Sequence, residues 1–190
     1  MGDWNVPSEI DWFKHELARL HVDVQHQLKR WRRVAPLLWK HYREEGGSRE
    51  EAAGLHLAVE NATHHLLVAV RDIEKIVLAV EKHLDDDKTK RELAGLRMRY
   101  EREAGPARHF RDFYEHAADY ILGRGRLRNV LWPRGVQVSF GRDGVVYSAP
   151  QAGSAASLIL SPEAAGLAAL GLAEGVLQVL RRPASDRSEP

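Results

Sequence analysis

Apolar residues recur at steps of three and four from Ile10 to Leu122, and the rhythm shortens to steps of two around residue 140. The first spacing belongs to helices with a buried stripe, the second to strands with one buried face. Ile10, Phe13, Leu17, Leu20, Val24 and Leu28 define a first helix after Pro7, and Ser8 with Asp11 has the form of a capping box at its start. Pro36 has no amide hydrogen to donate and crowds the preceding turn. A break or kink is therefore expected near Ala35, with Leu37 to Tyr42 as a short second piece that ends at Glu45-Gly46-Gly47.

Ser48 with Glu51 repeats the capping box and opens a long central helix, from about Ala52 to Leu84. Its seam is Leu55, Val59, Ala62, Leu66, Ala69, Ile73, Ile76, Val80 and Leu84, and Leu57, Leu67, Val68, Val70, Val77 and Leu78 lie beside it. An apolar surface wider than one stripe demands burial on more than one side, by helices on both flanks or by a second subunit. Asp85-Asp86-Asp87 marks the next turn, and a third helix runs to about Ala104 with Leu93, Leu96 and Tyr100 inward. Gly105-Pro106 stops it and opens a fourth, which carries Phe110, Phe113, Tyr114, Ala117, Ile121 and Leu122 and ends at Gly123.

Beyond Arg128 the texture changes. Val136 to Phe140 and Val145 to Ser148 flank Gly141-Arg142-Asp143-Gly144, a hairpin signal, and Ser157 to Leu160 adds a candidate third strand. Ser161-Pro162-Glu163 caps a last helix through Leu180, with Leu167, Leu170, Val176, Leu177 and Leu180 apolar. The predicted fold is mainly α: an up-and-down bundle of four to five helices over 1–128, then a small C-terminal β-hairpin or meander and a final helix. Residues 129–182 pack on the bundle as part of the same domain, and 183–190 form a tail.

Composition narrows the function more by exclusion than by assertion. At 190 residues, 44% apolar and 29% charged, the chain fits one globular domain large enough for a real core. A net charge of +1 supplies no global field for nucleic acid or an anionic membrane, so any such interaction must rest on local patches. The absence of cysteine removes disulfides, thiol nucleophiles and thiolate metal sites. Residues 1–6 have neither the basic-then-apolar order of a secretory signal nor the hydroxyl of a myristoylation site, and no uncharged apolar run approaches the roughly 20 residues of a membrane span. The expectation is a cytosolic protein without a membrane partner. Arginine outnumbers lysine 21 to 7 and alanine is abundant, a usage expected of a bacterial chain.

Arg111-Asp112-Phe113-Tyr114-Glu115-His116 is the sharpest chemical signal. It places a permanently charged fork suited to phosphate and a side chain that titrates near neutrality on the last long helix of a bundle. Asp112 and His116 are four apart, so the carboxylate can reach the ring and fix its tautomer. Arg111 and His116 are about 140° apart on an ideal helix, so they converge only if the arginine wraps round or a second protomer completes the site. The segment resembles the RNase signature of the HEPN superfamily: arginine, a polar residue, and histidine four to six residues on. The resemblance implies a small helical bundle that dimerises, with two motifs facing one another across a cleft, and RNA cleavage without a metal. It gives Arg111 the scissile phosphate, Asp112 a supporting role, and His116 acid or base duty in attack by the ribose 2′-hydroxyl. It also implies a defence or toxin–antitoxin setting with a cognate antitoxin or other protein partner. A tyrosine two residues after the histidine marks one group of that family; here the position is Ala118.

A second signal is basic and aromatic. Lys29-Arg30-Trp31-Arg32-Arg33 continues to Lys40 and Arg43 with no acid between 29 and 43, and Arg124, Arg126 and Arg128 follow the fourth helix. Trp31 and Trp39 could stack on bases while the cations hold phosphates, or they could pack in the core while the arginines solvate the helix back. The alternative to an RNase is accordingly a non-enzymatic interaction or regulatory domain that binds a protein partner or nucleic acid. His56, His64 and His65 with Glu60 offer two ligands on one face, too few for a metal site, and read as structural or interface histidines. No phosphate-binding glycine loop or nucleophile elbow occurs, so no metal and no cofactor is expected.

Overall fold

A computed structural model describes residues 8–43, 48–115, 137–141, 144–150 and 157–182, with side chains described through Arg111 and again from Ile159. Helix α1 (Glu9–Arg43) is followed by α2 (Arg49–His83), α3 (Asp87–Ala104) and α4 (Ala107–Glu115). Strands β1 (Gln137–Gly141), β2 (Gly144–Pro150) and β3 (Ser157–Leu160) precede a last helix, α5 (Pro162–Arg181). The protein is a mainly helical bundle with a small sheet and a final helix, as the spacing of apolar residues predicts.

The caps sit where the polar residues place them. Ser8 Oγ donates to Asp11 Oδ2 at 2.7 Å and accepts from Asp11 N at 3.2 Å. Ser48 caps α2 by accepting from Glu51 N at 3.1 Å, and Asp86 caps α3 by accepting from the amides of Lys88 and Thr89. The Asp86 carboxyl is held below the ordinary aspartate value of 3.8, chiefly by its hydrogen bond with Thr89. Ser161 accepts from Ala164 N at the start of α5. Each such cap satisfies amides that have no partner within the helix.

The expected break at Pro36 does not occur: α1 runs unbroken for 35 residues with Pro36 inside it. Pro36 removes one hydrogen bond, to the carbonyl of Arg32, on an exposed face where water can replace it. On the other face the stripe continues across the proline without interruption, through Leu28, Trp31, Ala35 and Leu38, all buried. Burial of that stripe outweighs the lost bond. Pro36→Ala is therefore expected to raise the unfolding free energy by about 2 kcal/mol, read from thermal or urea denaturation. A decrease would mean that the proline holds α1 in a bend the packing requires.

The core gathers around α2, and the breadth of that helix has an intramolecular explanation. Val59, Ala62, Leu66, Ala69, Ile73 and Val80 on the seam are buried, and so are Leu67, Val70 and Val77 beside it. Helices α1, α5, α4 and α3 all pack on α2, so the chain's own elements cover both flanks. Leu57 departs from the expected apolar set and is 59% exposed.

Helix α5 fills the space between α1, α2 and α3 by being narrow. Its buried face is Ala165, Gly166, Ala169, Leu172, Ala173, Val176, Leu177 and Leu180. A methyl group at Gly175 would stand 2.9 Å from Leu96 Cδ2, and one at Gly166 3.2 Å from Leu28 Cδ1, so glycine permits the approach at both positions. Leu167, one of the apolar residues of this helix, is 49% exposed. By length and composition α5 is apolar enough to cross a membrane, yet it carries Glu163, Glu174 and Arg181 and half of that stretch is buried inside the bundle. Two ion pairs, Arg32–Glu163 at 2.7 Å and Arg182 gripping both oxygens of Glu92, and a His21–Glu174 hydrogen bond at 2.9 Å fasten its outer side.

Strands β1, β2 and β3 form an antiparallel meander in that order. Phe140 pairs with Val145 beside the turn, Val138 with Tyr147, and Tyr147 in turn with Leu160.

Candidate functional site

The junction of α2, α3 and α4 brings polar side chains from three helices to one space. A cleft of about 340 Å³ is lined there by Glu74, Tyr100, Glu101, Gly105, Pro106, Arg108 and His109. Helix α3 brings Tyr100 and Glu101 to its C-terminal end. Gly105 closes that end, its amide bonding the Glu101 carbonyl at 3.0 Å, and Pro106 starts the turn into α4. Phe110, fully buried, fixes α4 on the bundle. Arg108 and His109 just before it are thereby held at the rim, and Arg111, half-buried, follows.

The acids of this cleft already have partners. Glu74 pairs with Arg71 one turn earlier on α2 and accepts from the Tyr100 hydroxyl at 3.3 Å. Burial, and then the neighbouring Glu74 carboxylate, push the Tyr100 phenol far above its ordinary range, so it remains a neutral donor. Arg97 bridges helices, donating to Glu101 Oε1 at 2.6 Å and to Glu81 Oε1 at 3.1 Å. Burial works to lower the Arg97 pKa, but the bonds to Glu101 and Glu81 outweigh it and raise the value. Arg108 Nε donates to His109 Nε2 at 3.3 Å, a bond that requires this ring nitrogen to carry no proton. A guanidinium beside an imidazole is a pair that can hold a phosphate and move a proton.

Arg111 lies on α4, and Asp112 lies on the same helix with its side chain outside the described residues. His116, Arg124, Arg126 and Arg128 lie outside the described residues as well. In the basic segment, Lys29, Arg30, Arg32 and Arg33 are exposed on α1, and Arg32 is engaged with Glu163. Trp31 needs correction as a base-stacking residue. Its ring is 2% exposed and its indole Nε1 donates to Thr63 Oγ1 at 3.1 Å, which leaves no face for a ligand. The reason is register: Trp31 continues the buried stripe while its basic neighbours in sequence point elsewhere on the helix. Trp39, by contrast, is half-buried and carries the Arg43 guanidinium 5.6 Å from its ring centre.

The histidines of α2 are engaged locally. His56 hydrogen-bonds with the Tyr42 hydroxyl, and the rings of His64 and His65 stack at 5.7 Å. Among the described residues no three His, Asp or Glu side chains converge as metal ligands would.

Sequence reasoning missed Glu74, Tyr100, Arg108 and His109 because three helices contribute them and only packing brings them together. One signal was present: Arg71 and Glu74 interrupt the wide apolar surface of the central helix, and charges there need a partner from a neighbouring helix. Comparison of the chain with known protein families, with curated proteins and with solved structures returns no match.

Proposed function

We propose that the chain is a HEPN-like domain that cleaves RNA without a metal ion, acting as a homodimer in the bacterial cytosol. The observation that carries this reading is the anchoring of α4. A buried Phe110 holds the helix that bears Arg111 and Asp112 against a polar cleft, with Arg108 and His109 on its rim. Arg111 binds the scissile phosphate, with Arg108 as a second cation nearby. His116 takes the proton of the ribose 2′-hydroxyl, whose oxygen forms a bond to phosphorus as the bond to the 5′-oxygen breaks. The leaving oxygen takes up a proton, and a cyclic phosphate end remains. Asp112, four residues before His116, fixes the imidazole tautomer. A defence or toxin–antitoxin role with a cognate antitoxin fits such an activity.

The test is His116→Ala in the purified full chain, with labelled RNA and a chelator present. Cleavage is expected to fall about 10²–10⁴-fold, the usual worth of a positioned acid or base, and to be insensitive to the chelator in the wild type. Equal cleavage by variant and wild type would remove His116 from the chemistry. Loss of activity on chelation would remove the metal-free mechanism.

A further inference from the structure

The outer face of α1 has a charge distribution that the near-zero net charge conceals. From Val24 to Arg43 this helix contains no acid, while Lys29, Arg30, Arg32, Arg33, Lys40 and Arg43 are all cationic. On a helix of 3.6 residues per turn, His26, Lys29, Arg30, Arg33, Leu37 and Lys40 fall within an arc of about 100°, opposite the buried stripe of Leu28, Trp31, Ala35 and Leu38. Arg32 turns away from that arc and is spent on Glu163. Lys29, Arg30 and Arg33 are exposed and form no ion pair among the described residues. Like charges held this close repel one another, and a bound polyanion relieves that repulsion. At 1.5 Å per residue the track from His26 to Lys40 is about 21 Å long, a straight array suited to a repeating charge rather than to a single ion.

We propose that this face of α1 is a track for the backbone of single-stranded RNA, which gives the RNase reading above its substrate-binding surface. Lys29, Arg30 and Arg33 contact successive phosphates; the Trp39–Arg43 pair lies outside this arc, on the flank next to the buried stripe. An anionic membrane is the weaker occupant. Leu37, 51% exposed, is the single large apolar side chain among these cations, and interfacial helices bury a broad apolar face.

Binding of a labelled single-stranded RNA oligonucleotide to the full chain carrying His116→Ala separates this proposal from the catalytic one. Adding Lys29→Ala, Arg30→Ala and Arg33→Ala, all at exposed positions, is expected to leave the circular dichroism and melting temperature unchanged. It should reduce the slope of log affinity against log salt by about 2 and weaken binding roughly 50-fold at 0.15 M salt, from about 0.7 ions released per phosphate contact on a single strand. Arg30→Lys with Arg33→Lys should restore the slope. An unchanged slope overturns the track, and so does binding to vesicles of anionic phospholipid without binding to RNA. If the triple variant on a wild-type His116 background cleaves RNA with unchanged KM, the track fails and the RNase reading stands. Track-dependent binding without any cleavage by the wild type leaves the track standing and the RNase reading refuted.

Discussion

Trp31→Ala is expected to lower the unfolding free energy by about 3–5 kcal/mol, the range for deleting a buried aromatic side chain. The ring is nearly sealed at 2% exposure, and it sits where α1 meets the middle of α2. Two losses combine there: a large cavity opens between the helices, and Thr63 loses the indole N–H that its Oγ1 accepts at 3.1 Å. Thr63→Val isolates the second loss. It preserves the shape of the side chain and leaves the indole without an acceptor in a buried place, at a cost of about 1–3 kcal/mol. Combined, the two substitutions should cost less than the sum of the singles, because Thr63→Val has no indole left to strand. Urea denaturation followed by circular dichroism reads all three variants. A loss under about 1 kcal/mol for Trp31→Ala would show that the surrounding helices collapse into the space.

Phe110→Ala is expected to cost a similar amount, about 3–5 kcal/mol, but to spend it in one place. The described part of α4 is nine residues long, and a helix that short is not stable without packing. Ala107 and Phe110 are its buried contacts among the described side chains, and Phe110 is the one with substantial area. Removing it should release α4 from α2 before the rest of the bundle opens. Hydrogen exchange of amides 107–115 is expected to accelerate while the centre of α2 stays protected at its global rate. On the function proposed above, RNA cleavage should fall in parallel, and Phe110→Leu should recover a large part of the lost protection. Uniform acceleration across α2 and α4 would mean that the helix opens only with the whole fold.

Much of the fold was readable from local chemistry. Ser8, Ser48 and Ser161 announce helix starts because a side-chain oxygen next to an apolar rhythm has few other reasons to be there, and the structure uses all three as caps, with Asp86, read only as part of a turn, as a fourth. The glycines at 141 and 144 bracket the hairpin turn for the same kind of reason. Pro36 misled because a local penalty was read without its competitor. Leu28, Trp31, Ala35 and Leu38 already carried the evidence that packing continues through the proline. Helix α5 was legible in its start at Ser161 and its length, but not in its inward face. Almost every position in it is apolar, so periodicity does not choose a face, and the face that turned inward mixes Ala165, Gly166, Ala169 and Ala173 with Leu172, Val176, Leu177 and Leu180.

The candidate site was less legible than the fold. The Arg111 motif is contiguous in sequence and could be found there, whereas the cleft beside it combines Glu74 from α2, Tyr100 and Glu101 from α3, and Arg108 and His109 from α4. No one-dimensional spacing encodes that meeting. The basic segment was legible as a run but not as a surface: helix phase sorts Trp31 to the core, Arg32 to Glu163, and Lys29, Arg30 and Arg33 to the outside.

The late position of α5 in the chain has a consequence for how the protein is made. Its slot is lined by α1, α2 and α3, which leave the ribosome well before it does. At about 5–20 residues per second, several seconds separate the completion of α3 from the arrival of the helix that covers it. During that interval Leu28, Leu66 and Leu96 lack the neighbours that Gly166 and Gly175 later press against them. The nascent bundle is thus a sticky intermediate waiting for its keystone, and any lesion that stops synthesis or cuts the chain ahead of residue 162 leaves it permanently in that state.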